Sequence, residues 1–324
     1  MDQQLDRRGQ RVSPSGTCPI DETVPRGNPW RLVAISSFLT LSAVVLAAVY
    51  FLLPGRSVDS ASGISVLRTE DFHALAFSPD DPNVVFFGHH NGVMRSDDGG
   101  RNWWQLIQKR DFDAMGLATN PANPSQLYLA GHLIFQVSND GGSSWQPVAH
   151  DLPHDDIHGF ALSPDDPSRL YAFVYGYGLF TSSDGGRRWT RLSGQLPDDV
   201  MALAAAGGNP ETLYAGSMGS GLLRSGDGGR TWTPSGDGLG AQGVMALAVD
   251  PVARQTVYAG GGLGLFKSTN GARSWSKLPF PGSNGAALAV SRVRPNVVLA
   301  ITVKDGQGIV LRSEDGGLSW GARR

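Results

Sequence analysis

Most of the chain alternates short apolar runs with polar turns. One period reads from His158. Phe160-Ala161-Leu162 is a short apolar run, and the turn Pro164-Asp165-Asp166-Pro167 follows it. A second run covers residues 170–174 and ends at Gly176 and Gly178; the third is Leu179-Phe180-Thr181. The polar stretch Ser182-Ser183-Asp184-Gly185-Gly186-Arg187-Arg188 closes on Trp189, which opens a fourth run. Four runs of strand length, each bounded by Gly, Pro or Asp, predict a four-stranded antiparallel sheet. The pattern occurs six times. Its closing tryptophans, Trp103, Trp145, Trp189, Trp232, Trp275 and Trp320, stand 42, 44, 43, 43 and 45 residues apart. A fixed period in this range marks a repeat architecture.

The first run of each unit is rich in small residues, as in Leu75-Ala76-Phe77 and Leu247-Ala248-Val249. Small side chains suit the crowded innermost strand of a propeller blade. The predicted fold is therefore all-β, a six-bladed β-propeller of four-stranded antiparallel blades over residues 64–324. After Trp320 only Gly321-Ala322-Arg323-Arg324 remain, so the outer strand of the sixth blade is short. Ile64-Ser65-Val66-Leu67 precedes the first unit without a blade of its own. The strand at 64–68 is expected to pair into the last blade and close the ring, which removes an open edge.

A different pattern precedes the repeats. Residues 32–53 run for 22 positions without a charge, long enough to cross a hydrocarbon core as a helix. Residues 1–31 are polar, broken by Pro14, Pro19, Pro25 and Pro29, and carry Arg7, Arg8, Arg11, Arg26 and Arg31. This reads as a disordered cytoplasmic tail, a signal-anchor helix at 32–53 and a linker at 54–63. The positive-inside bias places the repeats outside the cytoplasm, so the expected location is a cell membrane crossed once. A cleaved signal peptide is the alternative, although its apolar region is usually shorter. Either way the propeller is extracytoplasmic.

The spacing Ser-x-Asp-x-Gly-x-x-Trp resembles the Asp-box, or BNR repeat, of the sialidase superfamily, and the resemblance covers residues 64–324. It implies a propeller in which each box forms the hairpin between the third and fourth strands. Asp98, Asp140, Asp184, Asp227 and Asp315 are then structural acceptors for their own turns, with Asn270 in the fifth place. Asn270 and Ala272 depart from the pattern, which suggests a looser fifth blade. The six tryptophans are expected to fill the gaps between blades. Sialidases also use an arginine triad, a tyrosine–glutamate nucleophile pair and an Arg-Ile-Pro motif. Here the corresponding stretch is Ser65-Val66-Leu67-Arg68-Thr69, and the propeller carries only Glu70, Glu211 and Glu314. The resemblance therefore implies a glycosyl-hydrolase-like fold without a recognisable sialidase constellation.

Charge and cysteine content narrow the partners. Formal net charge is −2, which gives no basic field for nucleic acid. The single cysteine, Cys18, permits no intramolecular disulfide and lies outside the repeats. All seven histidines fall between His73 and His158. His90 and His132 each stand six residues before a box serine. His73 and His158 open first strands, a place that Met115, Met201 and Met245 take in other blades. Two residues before this place stand Asp71, Asp113, Asp156 and Asp199, which suit turn caps. Antiparallel topology puts these positions at the channel mouth opposite the box turns. His73, His90, His132, His158 and Met115 form a candidate transition-metal site: imidazole suits zinc or copper, and thioether sulfur leans towards copper. A protein, peptide or glycan ligand at the same face is the other reading.

The expected role is a membrane-anchored binding or scaffold module. A sialidase-like glycoside hydrolase with an atypical site is one alternative. An assembly factor resembling the propellers that help build photosystem II is another, although no residue here specifies a photosynthetic partner.

Overall fold

The structure, a computed structural model, describes residues 63–193 and 195–321. The tail, the apolar run at 32–53 and most of the linker lie outside the described residues. Among the described residues no helix is long and apolar enough to cross a membrane.

Six four-stranded antiparallel sheets follow one another along the chain. Blades one to five run over residues 74–108, 116–147, 157–193, 200–234 and 244–277. In the sixth, the strands Ala287–Val290, Val298–Lys304 and Gln307–Ser313 are joined by Ser65–Leu67 as the outermost strand. Ser65 pairs with Val310 and Leu67 with Gly308, and Ile64 N–H donates to Val310 O at 2.8 Å. The last blade thus takes its outer strand from the start of the domain. Among the described residues no strand follows Ser313, so Ser65–Leu67 takes the place where a short strand after Trp320 is expected.

The apolar core is divided into seams between blades. One buried cluster joins Leu75, Phe77, Val85 and Phe87 of blade one to Ala289, Val297, Leu299 and Ile301 of blade six. Five similar clusters occupy the other seams. Each holds one box tryptophan, which packs between its own blade and the preceding one. Phe86, Phe87, Phe173, Tyr214 and Tyr258 are fully buried, and each such side chain contributes about 1.5–3 kcal/mol.

The boxes hold themselves together locally. In the third box, Ser182 Oγ donates to Asp184 Oδ1 at 2.9 Å and accepts from Gly186 N–H at 2.9 Å. Asp184 Oδ1 accepts the N–H groups of Arg187 and Arg188, both at 3.0 Å. Trp189 Nε1–H donates to Gly186 O at 2.8 Å. In the second box, the hydroxyl and backbone N–H of Ser144 and the hydroxyl of Ser138 hold the Asp140 carboxyl down to about 2. Both box glycines need positive φ, 75° at Gly185 and 91° at Gly186.

The fifth box keeps its turn and is tied to blade four. Asn270 keeps the Ser268 and Ser274 contacts at 2.9 and 3.0 Å, while Ala272 sits at φ 66°. The Trp275 indole donates instead to Ser235 O at 2.9 Å, and Ser235 Oγ donates to Ala272 O at 2.7 Å. Trp275, 7 % exposed, is the most buried box tryptophan among the described residues; the other five are partly exposed. The seam between blades four and five is thus tied, not loosened, much as Ser65 Oγ ties blade six to Gly100 O of the regular first box at 2.6 Å.

Basic residues just before the boxes bind the neighbouring blade. Arg95 Nη1 donates to Gly141 O at 3.1 Å, Lys267 Nζ to Gly316 O at 3.0 Å and Arg312 Nη1 to Gly99 O at 3.3 Å. These cations are structural ties on the box face.

Candidate functional site

Backbone bonds assign the turns to two ends. The first glycine of each box donates its N–H to the turn between strands one and two of its own blade, as Gly99 does to Asn83 O and Gly185 to Ser168 O. Those turns share the box end. The approaches to the first strands and the turns between strands two and three lie at the other end. There a cavity of about 800 Å³ opens between Asp71, His73, Met115, Met201, Met245 and Asn284. A narrower space of about 90 Å³ is lined by His73, His158 and the same three methionines.

A shared irregularity aims these side chains. In blade three, Ile157 pairs with Val174 and Gly159 with Phe173, so His158 is the extra residue of a β-bulge. Met201 and Met245 are the extra residues of matching bulges in blades four and five. A bulge breaks the strict alternation of a strand and re-aims one side chain. In blades one and two, His73 and Met115 directly precede the first strand.

Asp113 is the centre of the cluster. It is 4 % exposed. Its Oδ1 lies 2.8 Å from His73 Nε2, and its Oδ2 lies 3.0 Å from His132 Nδ1 and 3.5 Å from His90 Nδ1. Burial alone would raise its carboxyl, but the bond and charge of His73, with His132 and His90, outweigh burial and hold it below the usual range. Gly131 makes this approach possible: a Cβ there would stand 1.7 Å from Asp113 O. Asp156 is a second centre. Its Oδ1 lies 3.2 Å from His158 Nε2 and 3.5 Å from His132 Nε2, and the two Nε2 atoms are 3.1 Å apart. Burial pushes the His158 imidazole down, partly offset by Asp156. Tyr175 stacks on His158 at 5.2 Å between centroids.

The four histidines therefore meet, in two linked groups from three blades. Met115 lies beside His73 in the channel, with Met201 and Met245, and not between the carboxylates. The aspartates play unequal parts. Asp199 caps its own blade, accepting from Ser217 Oγ at 2.5 Å and Gly219 N–H at 2.6 Å. Asp113 and Asp156 hold the same place in the repeat but face imidazoles. Their role as organising carboxylates is the part that sequence reasoning missed; the signal was a histidine six residues before the box in blades one and two.

Two further groups do other work. His89, 4 % exposed, accepts from Asn91 N–H at 3.2 Å and stacks on Phe87. Burial, then the neighbouring His73 and His90, push its imidazole down to about 4. Tyr171 Oη donates to Glu211 Oε2 at 2.7 Å, a tyrosine–glutamate pair of the type that sialidases use. Both residues are at most 3 % exposed, and Glu211 lies in the strand one–two turn, at the box end. Burial and the Glu211 contact push the tyrosine hydroxyl well above its ordinary range. A buried, neutral phenol at that end is a packing element.

No protein-family model matches the sequence, and no curated protein does. Solved structures match at low identity. A GH74 xyloglucanase from Xanthomonas campestris aligns with TM-score 0.54 and 21 % identity, over 80 % of this chain and 46 % of the other. A GH74 enzyme from Niastella koreensis gives 0.51 and 17 %, over 77 % and 46 %. YCF48 bound to D1 peptide gives 0.49 and 18 %, over 79 % and 84 %. This chain spans less than half the length of the two GH74 structures. The likeness is one of fold: the described residues form a six-bladed β-propeller similar in structure to these proteins.

Proposed function

We propose that the chain is a binding or scaffold module held on the outer side of a membrane, with its ligand-holding surface at the channel mouth. A transition metal, zinc or copper, sits there among His73, His90, His132, His158 and Met115. The observation that carries this reading is the convergence of four imidazoles from three blades on two carboxylates. Imidazoles gathered on carboxylates are a donor set that suits zinc or copper. At the box end the five box aspartates accept from their own turns, and Arg95, Lys267 and Arg312 are tied to neighbouring blades. The uncharged run at 32–53 supports the anchor.

Metal analysis of the purified full-length chain tests the proposal. One equivalent of zinc or copper is expected, and it should fall in the His73→Ala, His158→Ala double variant. Metal at trace level in the wild type would end the proposal.

A further inference from the structure

We infer that the metal is zinc and that it is held by only three of these groups, His132 Nε2, His158 Nε2 and Asp156 Oδ1, with a fourth position left open. This rests on the metal reading proposed above and sharpens it.

These three ligand atoms lie within 4.8 Å of one another, a cluster of His132, Asp156 and His158. Their separations are 3.1, 3.2 and 3.5 Å. A tetrahedral ion at about 2.0–2.1 Å from each ligand requires ligand–ligand edges of about 3.3–3.4 Å. An octahedral ion at the same bond length requires about 2.8–3.0 Å. The triangle fits the tetrahedral edge. Two imidazoles and one carboxylate are a common three-ligand zinc set with room for a fourth donor. No thioether belongs to the triangle, which removes the main argument for copper.

The state of these atoms agrees. Asp156 Oδ1 is shielded from solvent, and its partners among the described residues are the two proposed co-ligands alone, His158 Nε2 at 3.2 Å and His132 Nε2 at 3.5 Å, neither aligned as a regular hydrogen bond. A buried carboxylate oxygen without an aligned donor is uncommon. His132, by contrast, is 45 % exposed at its side chain, so the open position faces solvent.

The remaining histidines act through Asp113. Its Oδ2 stands 3.0 Å from His132 Nδ1, the ring nitrogen opposite the proposed ligand atom. A carboxylate on the far nitrogen of a metal-bound imidazole fixes the tautomer and the ring plane. His73 and His90 hold that carboxylate at 2.8 and 3.5 Å. Asp113, His73 and His90 are thus positioning residues.

Cobalt(II) titration of the full-length chain, followed by its visible bands, tests this, with zinc(II) displacement as the second arm. Tryptophan emission checks that each variant is folded. Wild type should bind one cobalt with the intense bands of four-coordinate geometry and release it to zinc. His132→Ala and His158→Ala should each abolish the bands. His73→Ala and His90→Ala should keep one equivalent but bind it more weakly, because each removes a group that holds Asp113. Asp113→Asn should keep one equivalent, shift the bands and weaken affinity about 10–100-fold. Binding that survives His132→Ala and His158→Ala but is lost in His73→Ala would overturn the assignment and leave the metal reading intact. Pale six-coordinate bands would overturn the tetrahedral site. A wild type that binds neither ion would overturn both.

Discussion

Arg312 joins the last blade to the first, and replacing it with methionine should weaken ring closure measurably. The side chain is 4 % exposed. Its Nη1 donates to Pro82 O at 3.2 Å and Gly99 O at 3.3 Å, both in blade one, and its Nε donates to Glu314 Oε1 at 2.7 Å. Methionine keeps much of the volume but makes none of these bonds. A hydrogen bond to a charged group is worth about 1.5–3 kcal/mol. Glu314 is 31 % exposed and can rehydrate, so its loss adds little. Part of the remainder returns as apolar burial, which leaves an expected loss of about 2–4 kcal/mol. Arg95 makes one equivalent bond, to Gly141 O, from a more exposed position, so Arg95→Met should cost about 1 kcal/mol. Guanidinium denaturation followed by tryptophan emission reports both losses when the slopes match. Equal midpoints for the two variants, or a loss below about 0.5 kcal/mol for Arg312→Met, would refute the view that this seam depends on a buried cation.

Asp199→Ala should cost about 1–2 kcal/mol through the lost Ser217 and Gly219 bonds, with metal affinity unchanged; altered cobalt binding would show that Asp199 belongs to the site. His89, held at about 4 in the fold, is neutral there, while the unfolded chain protonates it near pH 6.5. Its stabilising contribution is therefore complete above pH 6.5 and is lost as pH falls towards 4. That amounts to about 2 kcal/mol between pH 7.5 and 5. In chelator, wild type should lose that much more stability over this interval than His89→Gln, and parallel pH profiles would contradict the assignment. Ala272→Gly should relieve the φ 66° conformation, worth about 1–2 kcal/mol, against the loss of one fully buried methyl, about 0.8 kcal/mol, and so leave stability equal or about 1 kcal/mol higher, as read by the denaturation midpoint.

The fold was legible because each box marks a turn and each tryptophan marks a seam. Even ring closure could be read, since the strand around Ser65 had no blade of its own. The channel mouth was legible only in part. Alignment on the box serine placed His90 beside His132 and His73 beside His158, and the fold brings them together. It could not show that Asp113 and Asp199, equal in the repeat, differ in role. That difference comes from His73 and His90 of blade one reaching into blade two, a contact between blades with no local signature. The bulges at His158, Met201 and Met245 were hidden for a related reason. A bulge adds one residue to a strand without changing the apolar pattern around it. Nor did the Tyr171–Glu211 pair show in the residue order, because its members stand forty positions apart.

The central claim is that the two-histidine, one-carboxylate triangle at the mouth holds the metal. Anomalous diffraction at the zinc edge, from crystals of the chain grown with one equivalent of zinc, tests it most directly. The account expects a single peak about 2.0–2.1 Å from His132 Nε2, His158 Nε2 and Asp156 Oδ1, with Asp113 still on His132 Nδ1. A peak among Met115, Met201 and Met245, or no peak at the mouth, would contradict it.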